Sequence, residues 1–195
     1  APTATLTPAP MPTRQPGAGL SLKEALVLAL PVVRKNQADA VLSSARAAAE
    51  KGLPLDGRPR NWTLYFGSPT QPATWYVCPV GDRPVSCQEE KAFGDNPELK
   101  VGRTAIFLDS PEVLEKVRRD QGLDKWLKAQ AGRFLSTMTL DFASTTLQPQ
   151  WWLQAMPAGL DLDKELFPFD VKLTPQGVWY LRIDGQVQIE EGKQR

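Results

Sequence analysis

Residues 75–88 read WYVCPVGDRPVSCQ and contain both cysteines of the chain. Aromatic and β-branched residues near the ends of this segment favour strands, whereas the Pro, Gly and Asp residues between them favour a turn. A turn centred on Asp82-Arg83 places Cys78 opposite Cys87 in an antiparallel pair, and this placement suits a cross-strand disulfide. Because two prolines flank the turn and lack an N–H, the turn can be wider than two residues. The alternative is a pair of reduced cysteines buried in the core.

The chain has 195 residues, no histidine and no cysteine outside this pair. It therefore has no Ser-His or Cys-His dyad and no histidine-bearing zinc site. Lys and Arg total 23 against 22 Asp and Glu, and this balance gives no electrostatic footprint for nucleic acid or an anionic membrane. No Walker loop, dinucleotide-binding glycine pattern or nucleophile elbow occurs. We therefore expect neither an enzyme nor a cofactor.

Residues 1–19 are rich in Pro, Thr and Ala and are expected to form an extended, disordered tether. Such a stretch resembles the stalk of an exported bacterial protein or lipoprotein, with a lipid anchor upstream of residue 1. The predicted disulfide also indicates an oxidising compartment. The sequence thus predicts a periplasmic or secreted protein, and the alternative is a cytosolic protein with a disordered tail. No apolar run is long enough to span a membrane.

Residues 20–100 are predicted to form a first α+β unit. The sequence Ser21-Leu22-Lys23-Glu24 is a capping box at the start of a helix that Pro31 is expected to kink or end. Residues 38–51 are ambiguous, because their alanines favour a helix while alternating residues also fit a strand. Strands are expected at residues 62–66, 73–78 and 85–88.

Residues 101–195 are predicted to form a second unit of the same kind. Asp109-Ser110-Pro111-Glu112 is a strong helix start, because a capping residue precedes Pro and an early Glu. Asp184-Gly185 is the best signal for a tight hairpin. Strands are expected at residues 104–108, 138–142, 151–156, 178–183 and 187–189. The predicted fold class is α+β, with two helix-plus-antiparallel-sheet units arranged as a pseudo-duplication.

Segments of both units resemble PepSY-like exported bacterial domains, arranged as two tandem divergent copies. These segments are residues 21–29, 38–42, 56–58 and 61–66 in the first unit and 109–114, 148–153 and 178–187 in the second. They comprise a helix start followed by a tryptophan-bearing strand and span most of residues 20–190. The resemblance implies a helix packed on an antiparallel sheet, an extracytoplasmic location and a binding or regulatory role. The resemblance also implies a strand near residues 40–47, and it implies no catalytic residues.

Four tryptophans on predicted strands form the candidate ligand surface. They are Trp75, Trp151, Trp152 and Trp179. Because adjacent side chains of a strand point to opposite faces, at least one of Trp151 and Trp152 leaves the helix-covered face. Such a ring suits a protein partner or a sugar, and the alternative is core filling between the units. The acidic segment 161–165 lacks the glycine and distal glutamate of a calcium loop, so no metal site is expected.

The sequence as a whole predicts a non-catalytic, monomeric cell-envelope protein that binds or regulates a protein partner. The alternative is binding of a carbohydrate or peptidoglycan through the strand tryptophans. A hydrolase with a carboxylate pair is a third hypothesis, because no sequence feature excludes or selects such a pair. A row of exposed tryptophans would favour carbohydrate binding, whereas a cleft with two acids would favour hydrolysis.

Overall fold

The computed structural model describes residues 18–71, 74–91, 107–142, 148–158, 168–184 and 186–190. Several sequence predictions fall partly or wholly outside these ranges, among them the first residue of the strand at 73–78 and most of the strand at 104–108. Others concern the tether up to residue 17, the unit boundary near residue 100 and the acidic segment 161–165. Gly185 of the predicted hairpin also lies outside the described residues.

The described residues form one helix followed by four strands, and then two helices followed by five strands. The helices are α1 (Leu22–Val33), α2 (Ser110–Asp120) and α3 (Leu123–Ala129). The strands are β1 (Val41–Ala48), β2 (Trp62–Gly67), β3 (Thr74–Val80), β4 (Gln88–Lys91), β5 (Arg133–Phe142), β6 (Pro149–Pro157), β7 (Phe169–Thr174), β8 (Gly177–Ile183) and β9 (Gln186–Glu190).

Among the described residues, nine strands form one antiparallel sheet in the order β4-β3-β2-β1-β5-β6-β7-β8-β9. Consecutive strands of each half of the chain are neighbours, so each half is a meander that runs outward from the middle of the sheet. The two meanders meet where β1 pairs with β5, and Ala45 there lies opposite Leu140. The predicted α+β class with antiparallel strands is confirmed.

The helices lie on one face of the sheet, and the hydrophobic core lies between them and that face. Helix α1 packs on β2 and β3, α3 packs on β5, and the apolar stripe 113–117 of α2 is buried in the same core. Side chains of β2 alternate: Trp62 and Leu64 are buried, whereas Thr63 between them is half-buried. The alternation separates a helix-covered face from an open face.

The N-termini of α1 and α2 meet and share capping groups. Each helix begins with a capping box, predicted as such at Ser21, whereas at Asp109 the sequence predicts a helix start with a capping residue. The Asp109 carboxylate also accepts a hydrogen bond from the Lys23 N–H at 3.0 Å. The Ser110 hydroxyl accepts one from the Leu22 N–H at 3.0 Å and donates to the Gly57 carbonyl at 2.7 Å. These bonds satisfy N–H groups that have no partner within their own helix.

The disulfide between Cys78 and Cys87 is present, with 4.3 Å between the Cα atoms. It joins β3 to the residue before β4, where Val77 pairs with Gln88. Residues 81–87 belong to no strand, so the strand predicted at 85–88 is wrong except at its last residue. The turn is therefore wider than two residues, because a proline at each side cannot donate to the ladder.

The ambiguity at residues 38–51 is resolved in favour of a strand, β1. Two of its alanines, Ala45 and Ala47, are fully buried and pack in the middle of the helix-covered face. The expectation that Pro31 ends α1 is wrong, since the helix continues to Val33. Phe107, in the described part of the strand predicted at 104–108, belongs to no strand.

No helix among the described residues is long and apolar enough to cross a membrane.

Candidate functional site

Two tryptophans of the sheet perform the same structural task in the two halves of the chain. Trp62 of β2 donates its Nε1–H to the Leu20 carbonyl at 2.9 Å, and Leu20 immediately precedes the N-cap residue of α1. Trp151 of β6 donates to the Leu108 carbonyl at 3.0 Å, and Leu108 immediately precedes the N-cap residue of α2. The two buried rings contact each other edge to face, with centroids 6.3 Å apart. They therefore tie both helix starts to the sheet.

The residue that follows each of these tryptophans lies on the open face, and here the halves differ. Thr63 follows Trp62, whereas Trp152 follows Trp151. Trp152 is 38% exposed and is one of few large apolar side chains exposed among the described residues. The residue after the buried tryptophan thus has a small hydroxyl side chain in one half and an indole ring in the other.

Trp152 belongs to an aromatic-cation cluster, which we define as Trp152, Lys172, Trp179 and Tyr180. The Lys172 ammonium lies 4.5 Å from the Trp152 ring centroid and 5.4 Å from the centroids of Trp179 and Tyr180. Strand pairing brings these residues together, because Lys172 of β7 lies opposite Trp152 of β6 and Tyr180 of β8. Three rings around one ammonium hold it by its attraction to their electron-rich faces.

A buried ion pair supports the aromatic-cation cluster. Asp170 of β7 is only 3% exposed, and its carboxylate accepts a hydrogen bond from Arg182 of β8 at 2.9 Å. The other carboxylate oxygen accepts a hydrogen bond from Nε1 of Trp152. Asp170 therefore fixes both the exposed indole and the arginine beside Tyr180. Loss of this carboxylate would leave a buried guanidinium without its counter-ion.

Donors outnumber acceptors around the aromatic-cation cluster. Trp179 Nε1 and Arg182 Nε are buried and have no hydrogen-bond acceptor among the described residues. Lys172 adds a further donor, and it forms no ion pair with any described residue. Buried polar groups without partners are uncommon in native proteins, so two of them on one strand mark an unusual site.

The four tryptophans proposed as a ligand surface do not lie together. Trp152 and Trp179 share the aromatic-cation cluster on the open face, whereas Trp151 is 2% exposed beneath the helices. Trp75 is half-buried on β3, opposite Gly67. Four strand spacings separate β3 from β6, which places Trp75 roughly 19 Å from the cluster.

Sequence reasoning missed strand β7 and therefore the charged members of the site. The alternation of Phe169, Val171 and Leu173 is the pattern of a half-buried strand. If this segment had been interpreted as a strand, Asp170 and Lys172 would have been assigned to the open face. Their contact with Trp152 requires the pairing of β6 with β7, which no local pattern specifies.

A second polar network surrounds Asp39 and is structural. Its carboxylate accepts hydrogen bonds from the Gln37 side chain, from the Thr70 hydroxyl at 2.7 Å and from the Ser68 hydroxyl at 2.9 Å. These bonds, that of Gln37 foremost, hold the pKa of Asp39 well below its usual range. The network connects the loop after α1 to the loop after β2, because Ser68 follows β2 directly.

A pocket of about 480 Å³ lies beside the disulfide hairpin. Its lining includes Asn61, Thr63, Pro79 and much of the loop 81–86, with Asp82 as its carboxylate. Asp82 is engaged in an ion pair with Arg60. A pair of acids for glycoside hydrolysis does not line this pocket. Among the described residues, no group of three His, Cys, Asp or Glu side chains is arranged to hold a metal ion.

Comparison of the chain with protein-family models, with curated proteins and with solved structures finds no match in any of the three.

Proposed function

We propose that this chain is a non-catalytic binding protein that engages a protein partner with the open face of its sheet, at the aromatic-cation cluster. One observation carries the proposal: Trp152 is exposed at a place where the other half of the sheet folds with Thr63. The fold therefore does not require an indole there. An exposed tryptophan whose side-chain contacts, with Asp170 and Lys172, belong to this one cluster indicates binding, because large aromatic side chains contribute much of the energy of protein interfaces.

The make-up of the aromatic-cation cluster favours a protein partner over a sugar. Trp, Tyr and Arg are the side chains enriched among the energetically important residues of protein interfaces. Sugar binding requires a free ring face, but Lys172 occupies a face of Trp152 at 4.5 Å. Arg182 and Asp170 hold the surrounding side chains in place, so little conformational entropy is lost on binding.

An extracytoplasmic location accompanies this proposal. The Cys78–Cys87 disulfide is compatible with an oxidising compartment, where such bonds persist. The resemblance to PepSY-like exported domains points in the same direction and implies binding or regulation rather than catalysis. We retain a monomeric, exported protein, secreted or anchored by lipid, as part of the proposal.

The two halves of the sheet are proposed to be an internal duplication. Three features recur in each half: a capping box, a leucine before the N-cap residue and a tryptophan of the second strand bonded to that leucine. Leu20 and Leu108 are 88 positions apart, and Trp62 and Trp151 are 89 apart, so the spacing is also kept. The test is an experimental structure in which residues 20–67 and 108–156 are superposed. Helices and strands that fail to align would contradict the duplication.

Site-specific photo-crosslinking tests the proposed binding face. A photoreactive phenylalanine analogue replaces Trp152 in one variant and Val27, which is 69% exposed on α1, in a matched control. Both variants are expressed in the cells from which the chain derives, irradiated and analysed by mass spectrometry. We expect a discrete protein adduct at position 152 and none at position 27. Equal labelling at both positions, or none at 152, would contradict the proposal.

Carbohydrate binding is the second candidate, and the exposure of Trp152 favours it. An indole that is 38% exposed on a flat sheet can stack on a sugar ring if Lys172 moves aside. A glycan array that includes peptidoglycan fragments tests this candidate. Binding that disappears in Trp152→Ala would support it over the protein partner.

A further inference from the structure

The open face carries a row of cross-strand neighbours that leads from the first half of the sheet into the aromatic-cation cluster. Thr63, Arg46, Thr139, Trp152, Lys172 and Tyr180 lie opposite one another in successive strands. Cross-strand neighbours in directly opposite positions project from the same face of a sheet. Arg46 and Lys172 are thus two cations on one row, with Thr139 and Trp152 between them.

Neither cation of this row is neutralised by a described residue. Arg46 is exposed, and neither Arg46 nor Lys172 forms an ion pair with any described residue. The Lys172 ammonium lies near the rings of Trp152, Trp179 and Tyr180. By contrast, Arg182 on the same face is paired with Asp170. The two uncompensated cations therefore remain available for carboxylates from outside the chain.

The local balance of donors and acceptors points to the same ligand chemistry. Trp179 Nε1 and Arg182 Nε lack acceptors, and both lie on β8 beside Tyr180. Because these two atoms are shielded from solvent, an acceptor reaches them only if the rings shift. Lys172 is only half-buried, so its ammonium needs no such change. A ligand rich in acceptors complements this site, whereas a cationic ligand would meet like charge.

We propose that the partner's binding segment is an extended acidic peptide whose two carboxylates contact Arg46 and Lys172, with an apolar residue between them in contact with Trp152. This inference rests on the proposed function. Three strand spacings separate Arg46 from Lys172, which is roughly 14 Å. Four residues of an extended chain cover about 13 Å, and alternate side chains share one side. The expected pattern is therefore acid, any, apolar, any, acid.

Synthetic heptapeptides test the pattern against the intact chain by isothermal titration calorimetry. The probe is Thr-Glu-Thr-Leu-Thr-Glu-Thr, blocked at both ends. One control replaces both glutamates by glutamine, and another keeps the composition but places the glutamates next to each other. We expect the probe to bind more tightly than the control with adjacent glutamates by about tenfold, the effect of one interfacial ion pair. It should bind more tightly than the glutamine control by roughly 25- to 100-fold, because that control loses both pairs. Its binding should weaken as the ionic strength rises, because salt screens exposed charges.

Three variants locate the contact. Lys172→Met and Arg46→Met remove the charges and keep the aliphatic length, and each should weaken probe binding by about five- to tenfold. Lys125→Met is the matched control, because it removes an equal charge from an exposed position on helix α3. It should change binding by less than about twofold. Urea unfolding of each variant confirms that the fold is kept.

The possible outcomes separate this inference from the proposed function. Equal binding of the glutamate and glutamine probes would overturn the acidic pattern, as would equal loss in Lys172→Met and Lys125→Met. Failure of every peptide to bind, together with a protein adduct at position 152, would overturn the acidic pattern and leave the binding face intact. Binding of hexagalacturonate in place of the peptide would identify an acidic sugar as the ligand and overturn the proposal of a peptide ligand.

Discussion

The two halves of this sheet share a framework and differ in surface chemistry. Residues 18–91 and 107–190 each place a buried tryptophan against the residue before a helix cap. On the open face, however, the first half presents Thr63 where the second presents Trp152. The sheet edges differ too, because β4 carries two glutamates whereas Val187 and Ile189 of β9 are exposed. What recurs in both halves supports the fold, and what occurs in one half is the better guide to binding.

Loss of a framework tryptophan should have the largest effect on stability. We expect Trp62→Ala and Trp151→Ala each to lower the free energy of unfolding by about 3–5 kcal/mol, because each leaves a large cavity in the core. Each also leaves a carbonyl before a helix start without its donor. Urea titration followed by circular dichroism measures the loss. A lower free energy of unfolding in only one of the two variants would contradict the shared framework.

Loss of the disulfide should have a smaller effect, confined to the first half. The bond closes a short loop with a sequence separation of 9. We expect replacement of Cys78 and Cys87 by Ser to lower the free energy of unfolding by roughly 2–3 kcal/mol. The wild-type protein with reductant is the control and should unfold like the variant. Hydrogen exchange should rise in β3 and remain unchanged in β7. Faster exchange in both strands would show that the halves do not respond separately.

The Asp39 network, which lies in the first half, predicts a pH dependence of stability. Because its pKa is lowered by folding, Asp39 contributes stability above its unfolded-state pKa of about 3.9, and this contribution is lost as the pH falls through the folded-state pKa. Asp39→Asn should therefore unfold at lower temperature than the wild type near pH 7. The difference should be constant down to about pH 5 and should shrink below about pH 4. A difference in unfolding temperature that increases as the pH falls would contradict the predicted direction of the effect.

Trp152→Thr should have the smallest effect on stability and the largest on binding. The substitution copies Thr63 onto the second half, and it removes one donor to Asp170 while Arg182 remains. We expect a change in the free energy of unfolding of about 1 kcal/mol or less. Crosslinking from a neighbouring open-face position, Thr139, should then lose its partner adduct. A destabilisation as large as that of Trp151→Ala would make Trp152 a framework residue.

Much of the local structure was predictable from the sequence. Ser21 and Asp109 cap helices as expected, because capping depends on residues three positions apart. The disulfide followed from its spacing and turn residues. Strand β1 was ambiguous, because its alanines suit a helix, whereas the structure buries Ala45 and Ala47 on the helix-covered face of the sheet. Packing of distant residues decided that segment against its propensity.

The candidate site was predictable only in part. Adjacent tryptophans on a strand must face opposite ways, and Trp151 and Trp152 do. Which of them is buried could not be read from the sequence, since it depends on where α2 packs. Lys172 carried no sequence signal, because its three aromatic neighbours come from β6 and β8.

The sequence by itself determined the helix starts, the disulfide hairpin and the alternation of most strands, because these depend on residues close together in the chain. Only the tertiary structure decided that two meanders join at β1 and β5, that Trp151 is framework, and that Lys172 lies among three rings. The physical reason is that strand register sets cross-strand neighbours. Register arises from burial of whole faces, which no short segment specifies alone.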